Sequence, residues 1–243
     1  MKWALYSGDC RAIEPHGFDI LLTDPPYSAY VHASAVSQSK VRGARKRELG
    51  FDSLSVSLRR YIARCASGAL RWSVLYSDLE STAWLRIAAQ AAGAKYIRTV
   101  PWIRWSMPQL SGDRPPQGAE ALLLFWGAAK GRKSWNGPGN LTHLSHKCLR
   151  GESKHRAEKP LDQCLDLVDW FSNPNELIYD PCAGAGTIGV ACALLGRRYM
   201  GAEIDPKCHE RASDRIAAAH RGNLSARDCE RLNRWLATKG QQS

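Results

Sequence analysis

The stretch "LIYDPCAGAGTIGVACALLGRRYMGAEID", residues 177–205, constrains the fold more than any other. An apolar run ends at Asp180. A glycine-rich turn follows, a helix apolar almost all round begins near Thr187, and a second apolar run ends at Glu203, 19 positions after Gly184. Two strands joined through a helix lie parallel, and a helix apolar on every side must be buried. Glycines at such a turn let the backbone approach a ligand, and an acid after the second strand accepts hydrogen bonds from ribose hydroxyls. The segment therefore reads as a nucleoside site.

The rest of the chain has the same texture. Strand-like runs lie at 3–8, 18–24, 71–77, 95–105, 120–127, 176–181 and 198–205. Several are continuous apolar runs bounded by turn residues, the pattern of strands covered on both faces. Helical periodicity appears at 78–94, 160–172, 187–196, 209–222 and 226–240, with Pro160 at a first-turn position and glycine stops at the last two. Alternating strands and helices predict an α/β fold with a mostly parallel sheet. Segments 28–55 and 128–157 fit neither element type, and loops that long usually carry a function.

The chain has 243 residues, 44% of them hydrophobic, enough for a substantial core. No apolar run approaches the roughly 20 residues of a membrane span, and the start is too quickly polar for a secretory signal, so a cytoplasmic protein is the expectation. The net charge is +11, which favours a polyanionic partner, with nucleic acid first. The excess clusters. Lys40, Arg42, Arg45, Lys46 and Arg47 fall within eight residues, and Lys130, Arg132 and Lys133 open a second basic stretch that runs to Arg156. The eight cysteines show no C-x-x-C spacing and read as reduced thiols. His143, His146, Cys148 and His155 lack the ordered pairing of a zinc finger, so no metal is expected.

A second motif stands near the start. The apolar run Ile20-Leu21-Leu22 leads into Asp24-Pro25-Pro26-Tyr27. A strand-terminating turn with a capping Asp is the plain reading. The glycine turn at 184–186 also matches G-x-G-x-x-G, which leaves a dinucleotide oxidoreductase as an alternative. Chain order argues against it, because only about forty residues follow Glu203 and they look helical. The sheet must be completed by strands that come earlier.

These residues resemble the S-adenosylmethionine-dependent amino-methyltransferases of DNA, in particular the circularly permuted β-group, in which the catalytic motif precedes the cofactor motif. "YSGDC" (6–10), "TDPPY" (23–27), "HRAEKPLDQCLDLV" (155–168), "DPCAGAGT" (180–187) and "GAEID" (201–205) occur in that order. The resemblance implies a Rossmann-like methyltransferase fold with a mostly parallel seven-stranded sheet. It implies one domain over 1–243, with DNA-recognition insertions at 28–55 and 128–157. His155, Lys159 and Pro160 match the family's H-x-x-x-K-P motif. The chain departs from the family at Cys182, where an aromatic is usual; that removes a contact near the cofactor.

The reaction implied is methyl transfer from S-adenosylmethionine to the exocyclic N6 of a flipped-out adenine, leaving S-adenosylhomocysteine. N4 of cytosine is the alternative, and an RNA or protein methyltransferase a more distant one. Adenine is preferred because family members whose motif begins with Asp mostly modify it. Asp24 and the Pro25 carbonyl would accept from the two N–H groups of the amine, Pro25 and Pro26 would stiffen the turn, and Tyr27 would stack on the base. The resemblance places Asp9, Asp24, Lys159, Pro160, Glu203 and Ile204 at the cofactor, together with Asp180, Pro181, Cys182, Ala183, Gly184, Gly186 and Thr187 from the loop. Asp24 and Asp180 should favour the sulfonium by their charge. The basic residues at 40–47 and 130–133 should meet double-stranded DNA. A homodimer and a restriction endonuclease partner stay open. Trp102, Trp105 and Trp126 lie in strand-like runs and read as core.

Overall fold

Each apolar run divides its side chains between two cores, as the twofold alternation of a strand requires. In the computed structural model, which describes residues 2–27, 53–105, 118–128, 134–139, 141–147 and 158–240, Ile20 and Leu22 enter one core and Leu21 the other. Val74 and Tyr76 likewise separate from Leu75, and Ile178 from Tyr179.

The strands are β1 (Trp3–Ser7), β2 (Ile20–Thr23), β3 (Trp72–Ser77), β4 (Lys95–Trp105), β5 (Ala119–Trp126), β6 (Leu144–Lys147), β7 (Leu177–Asp180) and β8 (Arg198–Glu203). The helices are α1 (Val56–Gly68), α2 (Thr82–Ala91), α3 (Leu161–Phe171), α4 (Thr187–Leu194), α5 (Pro206–His220) and α6 (Ala226–Gly240). They cover both faces. Helices α1 and α2 close the core around Leu21, Leu75, Phe125 and Tyr179, with Ile62, Ala66 and Leu85 at its centre. Helices α3 to α6 close the other, contributing Leu165, Val168, Val190, Ile216 and Trp235.

The strands form one sheet in the order β1-β8-β7-β2-β3-β5-β4-β6. It has eight strands, not the seven expected. All seven apolar runs became strands, and the eighth, β6, lies inside the stretch 128–157 that was read as an insertion. Its sequence Leu-Ser-His-Lys carries one apolar residue, so it left no signal; it is a short edge strand parallel to β4. The pairs β1/β8, β8/β7, β7/β2 and β2/β3 are parallel, and β5 runs antiparallel to both β3 and β4. The catalytic-motif strand β2 thus lies beside the cofactor-motif strand β7 despite their distance in sequence.

Three further differences have local causes. Helix α1 was not anticipated; its buried face is Tyr61, Ile62, Cys65 and Ala66, small and mixed residues among Arg59, Arg60 and Arg64. Pro160 is the N-cap of α3 rather than a first-turn residue, with an extended ψ of 136°. Helix α5 starts earlier than read, at Pro206, because the Asp205 carboxylate caps the N–H groups of Lys207 and Cys208 at 2.7 and 3.0 Å.

Candidate active site

The C-terminal ends of parallel strands form the edge where ligands of such sheets bind. Here β8 delivers Glu203, β7 Asp180, and β2 Thr23 and Asp24 to that edge. Strand β5 runs the other way, so its beginning reaches the same edge: Ala121 faces Ser77 at the end of β3, and Glu120 faces Trp102 of β4.

Asp24, Glu120, Lys159 and Tyr27 form one cluster, with Glu120 buried and the other three partly buried. The Lys159 ammonium lies 2.8 Å from Asp24 Oδ2, 3.1 Å from Glu120 Oε2 and 3.0 Å from the Tyr27 hydroxyl oxygen. The Tyr27 hydroxyl donates a short hydrogen bond to Glu120 Oε2. The Arg104 guanidinium holds the other Glu120 oxygen at 2.9 Å. The aromatic rings of Tyr27, Tyr76 and Trp102 stand 5.1, 5.0 and 5.8 Å from the ammonium. Asp24 Oδ1 is buried and has no hydrogen-bond partner among the described residues.

The charges here are strongly perturbed. Burial pushes the Asp24 carboxyl up to about 6, with Lys159 opposing and Glu120 adding to the rise. Burial also works against ionisation of Glu120, but Lys159 and Arg104 outweigh it and hold that carboxyl below its usual range. Burial disfavours the Lys159 ammonium, yet Asp24 and Glu120 keep it above its ordinary value. Tyr27, raised by burial and by the two carboxylates, stays a neutral donor.

Lys159 was expected at the cofactor. The structure places its ammonium among the catalytic-motif groups, while Pro160 is buried at the start of α3. Tyr27 has a tethered hydroxyl, which holds its ring in place beside the cluster. Glu120 and Arg104 escaped the sequence reading. The available signal was an acid opening the otherwise apolar run "EALLLFW".

The glycine turn lies beside this cluster. Thr23 donates to Asp180 Oδ1 at 2.7 Å, which ties β2 to β7, and the Cys182 N–H and Tyr199 hydroxyl also donate to Asp180. Burial raises the Asp180 carboxyl to about 7 against these donors, with Asp24 adding to the rise. Burial thus works against the charge through which Asp180 would favour a sulfonium. Gly184 and Gly186 adopt φ of 53° and 73°, values that favour glycine. A Cβ on Gly186 would lie 3.0 Å from that of Ala212, whereas one on Gly184 would meet nothing within 4 Å. Gly184 N–H donates to Glu203 Oε2 at 2.8 Å and Asp205 N–H to Oε1 at 2.9 Å, fixing the carboxylate. Ile204 beside it is 65% exposed, an apolar surface next to the acid.

These residues suit a nucleoside-bearing cofactor: open space over a bare glycine, an oriented acid, and an adjoining apolar side chain. Thr187 and Ala185 are gripped from behind by Arg215, whose guanidinium donates to Thr187 Oγ1 and the Ala185 carbonyl. Asp9 follows Gly8, whose N–H donates to the Glu203 carbonyl at 2.9 Å. The Asp9 carboxylate is held by the Arg11 side chain and backbone N–H, which leaves it already paired. Cys182, where an aromatic was usual, packs on the Leu21 and Tyr179 core. Among the described residues no group of three His, Cys, Asp or Glu is arranged to hold a metal; His146 bonds Asp166 at 3.1 Å. Trp102 is buried as read, and Trp126 packs edge-on to Trp72. The basic residues Lys40, Arg42, Arg45, Lys46, Arg47, Lys130, Arg132 and Lys133, and His155, lie outside the described residues. No described helix is long and apolar enough to cross a membrane.

The model of the N6/N4 DNA methylase family matches residues 18–214. A relative named "Putative methylase YubD", of Escherichia coli (strain K12), is 38% identical over 71 residues, covering 29% of this chain and 31% of its own. The type II methyltransferase M.XycI of Xanthomonas campestris pv. cyanopsidis is 26% identical over 153 residues, covering 57% and 50%. The chain thus spans a third to a half of the length of these curated relatives. The crystal structure of an M1.HpyAVI–SAM complex superposes with a TM-score of 0.66 at 22% identity, covering 88% of this chain and 99% of that one; at this identity the likeness shows the fold.

Proposed function

The chain belongs to the N6/N4 DNA methylase family, and from that premise we propose that it transfers a methyl group from S-adenosylmethionine to the exocyclic N6 of adenine in DNA. The observation that carries the reading is the Asp24 carboxylate: Oδ2 is anchored by Lys159, and Oδ1 is buried and unpartnered. A buried acceptor without a partner is costly in isolation, and an amine N–H would supply the missing bond.

S-adenosylmethionine supplies, when bound, an electrophilic methyl group on a sulfonium. Gly184, Glu203, Ile204 and Thr187 would hold it, with the Glu203 carboxylate oriented for ribose hydroxyls. The chain's own part in the chemistry is at the nucleophile. An exocyclic amine is a poor nucleophile because its lone pair is conjugated into the ring. Acceptors fixed beforehand, Asp24 Oδ1 and the Pro25 carbonyl, hold its N–H groups as the nitrogen pyramidalises. The base must leave the duplex at a cost of a few kcal/mol. Stacking on an aromatic recovers roughly 1–3 kcal/mol, and the Tyr27 ring is the surface for it.

The basic sequences at 40–47 and 130–133 support a DNA partner by charge alone. Asp as the first motif residue favours adenine. Incubation with tritiated S-adenosylmethionine and mixed DNA, then digestion to nucleosides, tests both points. Label in N6-methyldeoxyadenosine is expected, and should vanish in Asp24→Ala. Label only in N4-methyldeoxycytidine refutes the base; no label in DNA refutes the activity.

A further inference from the structure

We propose that Lys159 and Glu120 are a positioning pair for Asp24: Lys159 fixes Oδ2 so that Oδ1 alone faces the substrate amine, and Glu120, clamped by Arg104, fixes Lys159. The inference rests on the methyl-transfer reading for its consequence in catalysis, and on geometry for its existence. The motif order had placed Lys159 with the cofactor.

The arrangement is a chain of alternating charge, Asp24–Lys159–Glu120–Arg104, with contacts of 2.8, 3.1 and 2.9 Å. Each carboxylate is engaged differently. Glu120 uses both oxygens, one for Arg104 and one for Lys159 and Tyr27. Asp24 uses only Oδ2. Glu120 therefore has no described oxygen left over, whereas Asp24 keeps one. A lysine side chain is long and rotatable, and left to one carboxylate it could swing. Glu120 and the Tyr27 hydroxyl give the ammonium two further contacts, and the rings of Tyr76 and Trp102 wall it in.

The charged and titratable groups facing Asp24 come from several elements. They are Lys159 ahead of α3, Glu120 on β5, Tyr27 on its own loop, Tyr76 on β3, and Asp180 and Cys182 at the end of β7. Lys159 is the cation acting directly on Asp24; Glu120 and Asp180 act the other way. Loss of the ammonium should thus make Asp24 harder to ionise, and a protonated Asp24 is no acceptor for an amine. Loss of the Glu120 charge should make it easier. Residues that only packed the fold, with no charge acting on Asp24, would move neither.

The test compares wild type, Lys159→Gln and Glu120→Gln by two readouts. The first is the Asp24 carboxyl titration followed by carbon NMR on aspartate-labelled protein, assigned with Asp24→Asn. The second is kcat against pH with DNA. Lys159→Gln should move the titration and the acid limb of kcat upward by about one pH unit or more, a ~10-fold change in ionisation ratio; Glu120→Gln should move both downward. Cofactor Kd should stay within about threefold of wild type in both variants. Shifts of the same sign, or no shift, overturn the proposal. So does a tenfold loss of cofactor affinity in Lys159→Gln with an unmoved titration, which would return Lys159 to the cofactor. Should Lys159→Gln fail to fold, Lys159→Arg replaces it: the charge stays, so the titration should hold, while the altered contact to Oδ2 should lower kcat at least tenfold with cofactor Kd unchanged, and an unchanged kcat overturns the proposal. Absence of methyl transfer in wild type refutes the functional reading, while the NMR titration still decides the pairing.

Discussion

Replacing Asp180 by Asn should stabilise the protein, and the gain should grow with pH. Asp180 is 1% exposed, at the junction of β7 and β2. Burial raises its carboxyl to about 7, from an unfolded value of about 3.9. Between those values the unfolded chain has released the proton and the folded one has kept it. Stability therefore falls as pH rises through this window, and levels off above the folded value. Integrated fully, about 3 units correspond to roughly 4 kcal/mol, an upper bound; between about pH 5.5 and 8.5 the change is about 2 kcal/mol. Asn keeps an acceptor for the Thr23 hydroxyl and Cys182 N–H, and turns a donor toward the Tyr199 oxygen. Its stability lacks the pH-dependent loss. Urea denaturation of both proteins at several pH values gives the difference, in which other titrating groups cancel, apart from the coupling to Asp24. A stability gap independent of pH, or one that turns against Asn as pH rises, would refute the reasoning. Either would mean that the fold holds Asp180 ionised.

Gly184→Ala should fold with a loss of about 1 kcal/mol, since its φ of 53° strains an L-residue but its Cβ meets nothing. If the cofactor approaches that bare backbone, the roughly 2.7 kcal/mol of stabilisation expected at a hundredfold excess over Kd should disappear, which thermal melts with S-adenosylhomocysteine would show. Arg215→Lys keeps a cation between Asp228 and Glu158 but loses the fork that grips the Ala185 carbonyl and Thr187. Calorimetry should find cofactor affinity reduced about tenfold with little change in kcat at saturation, a shift of about 1.4 kcal/mol.

The sheet was legible because its strands are apolar on both faces. Lys95–Trp105 emerged with the bounds its residues suggested, and the glycine turn fell where its spacing placed it. What stayed hidden was whatever lacked that contrast. Helix α1 buries small and mixed residues, and β6 is an edge strand with one apolar side chain. The site was legible as two motifs, but not as a three-dimensional circuit. Asp24, Asp180 and Glu203 announce themselves by standing at the ends of apolar runs. Glu120 stands at the beginning of one, and only the antiparallel course of β5 brings that beginning to the active edge. Proximity in sequence to the cofactor half could not show that the Lys159 side chain turns toward Asp24 and Glu120.

Glu158 and Lys159 are consecutive, yet they serve opposite sides of the site. Glu158 binds Arg215 and Arg227 at 2.8 and 2.7 Å, and through Arg215 reaches the glycine turn. Lys159 reaches Asp24 and Glu120. Pro160 and helix α3 follow at once, so the dipeptide has no slack behind it. On the proposed methyl-transfer reading, it would be a spacer one peptide bond long between the glycine turn and Asp24. A single alanine inserted between Glu158 and Lys159 would leave every side chain in the sequence, and still put the two halves of the site out of step.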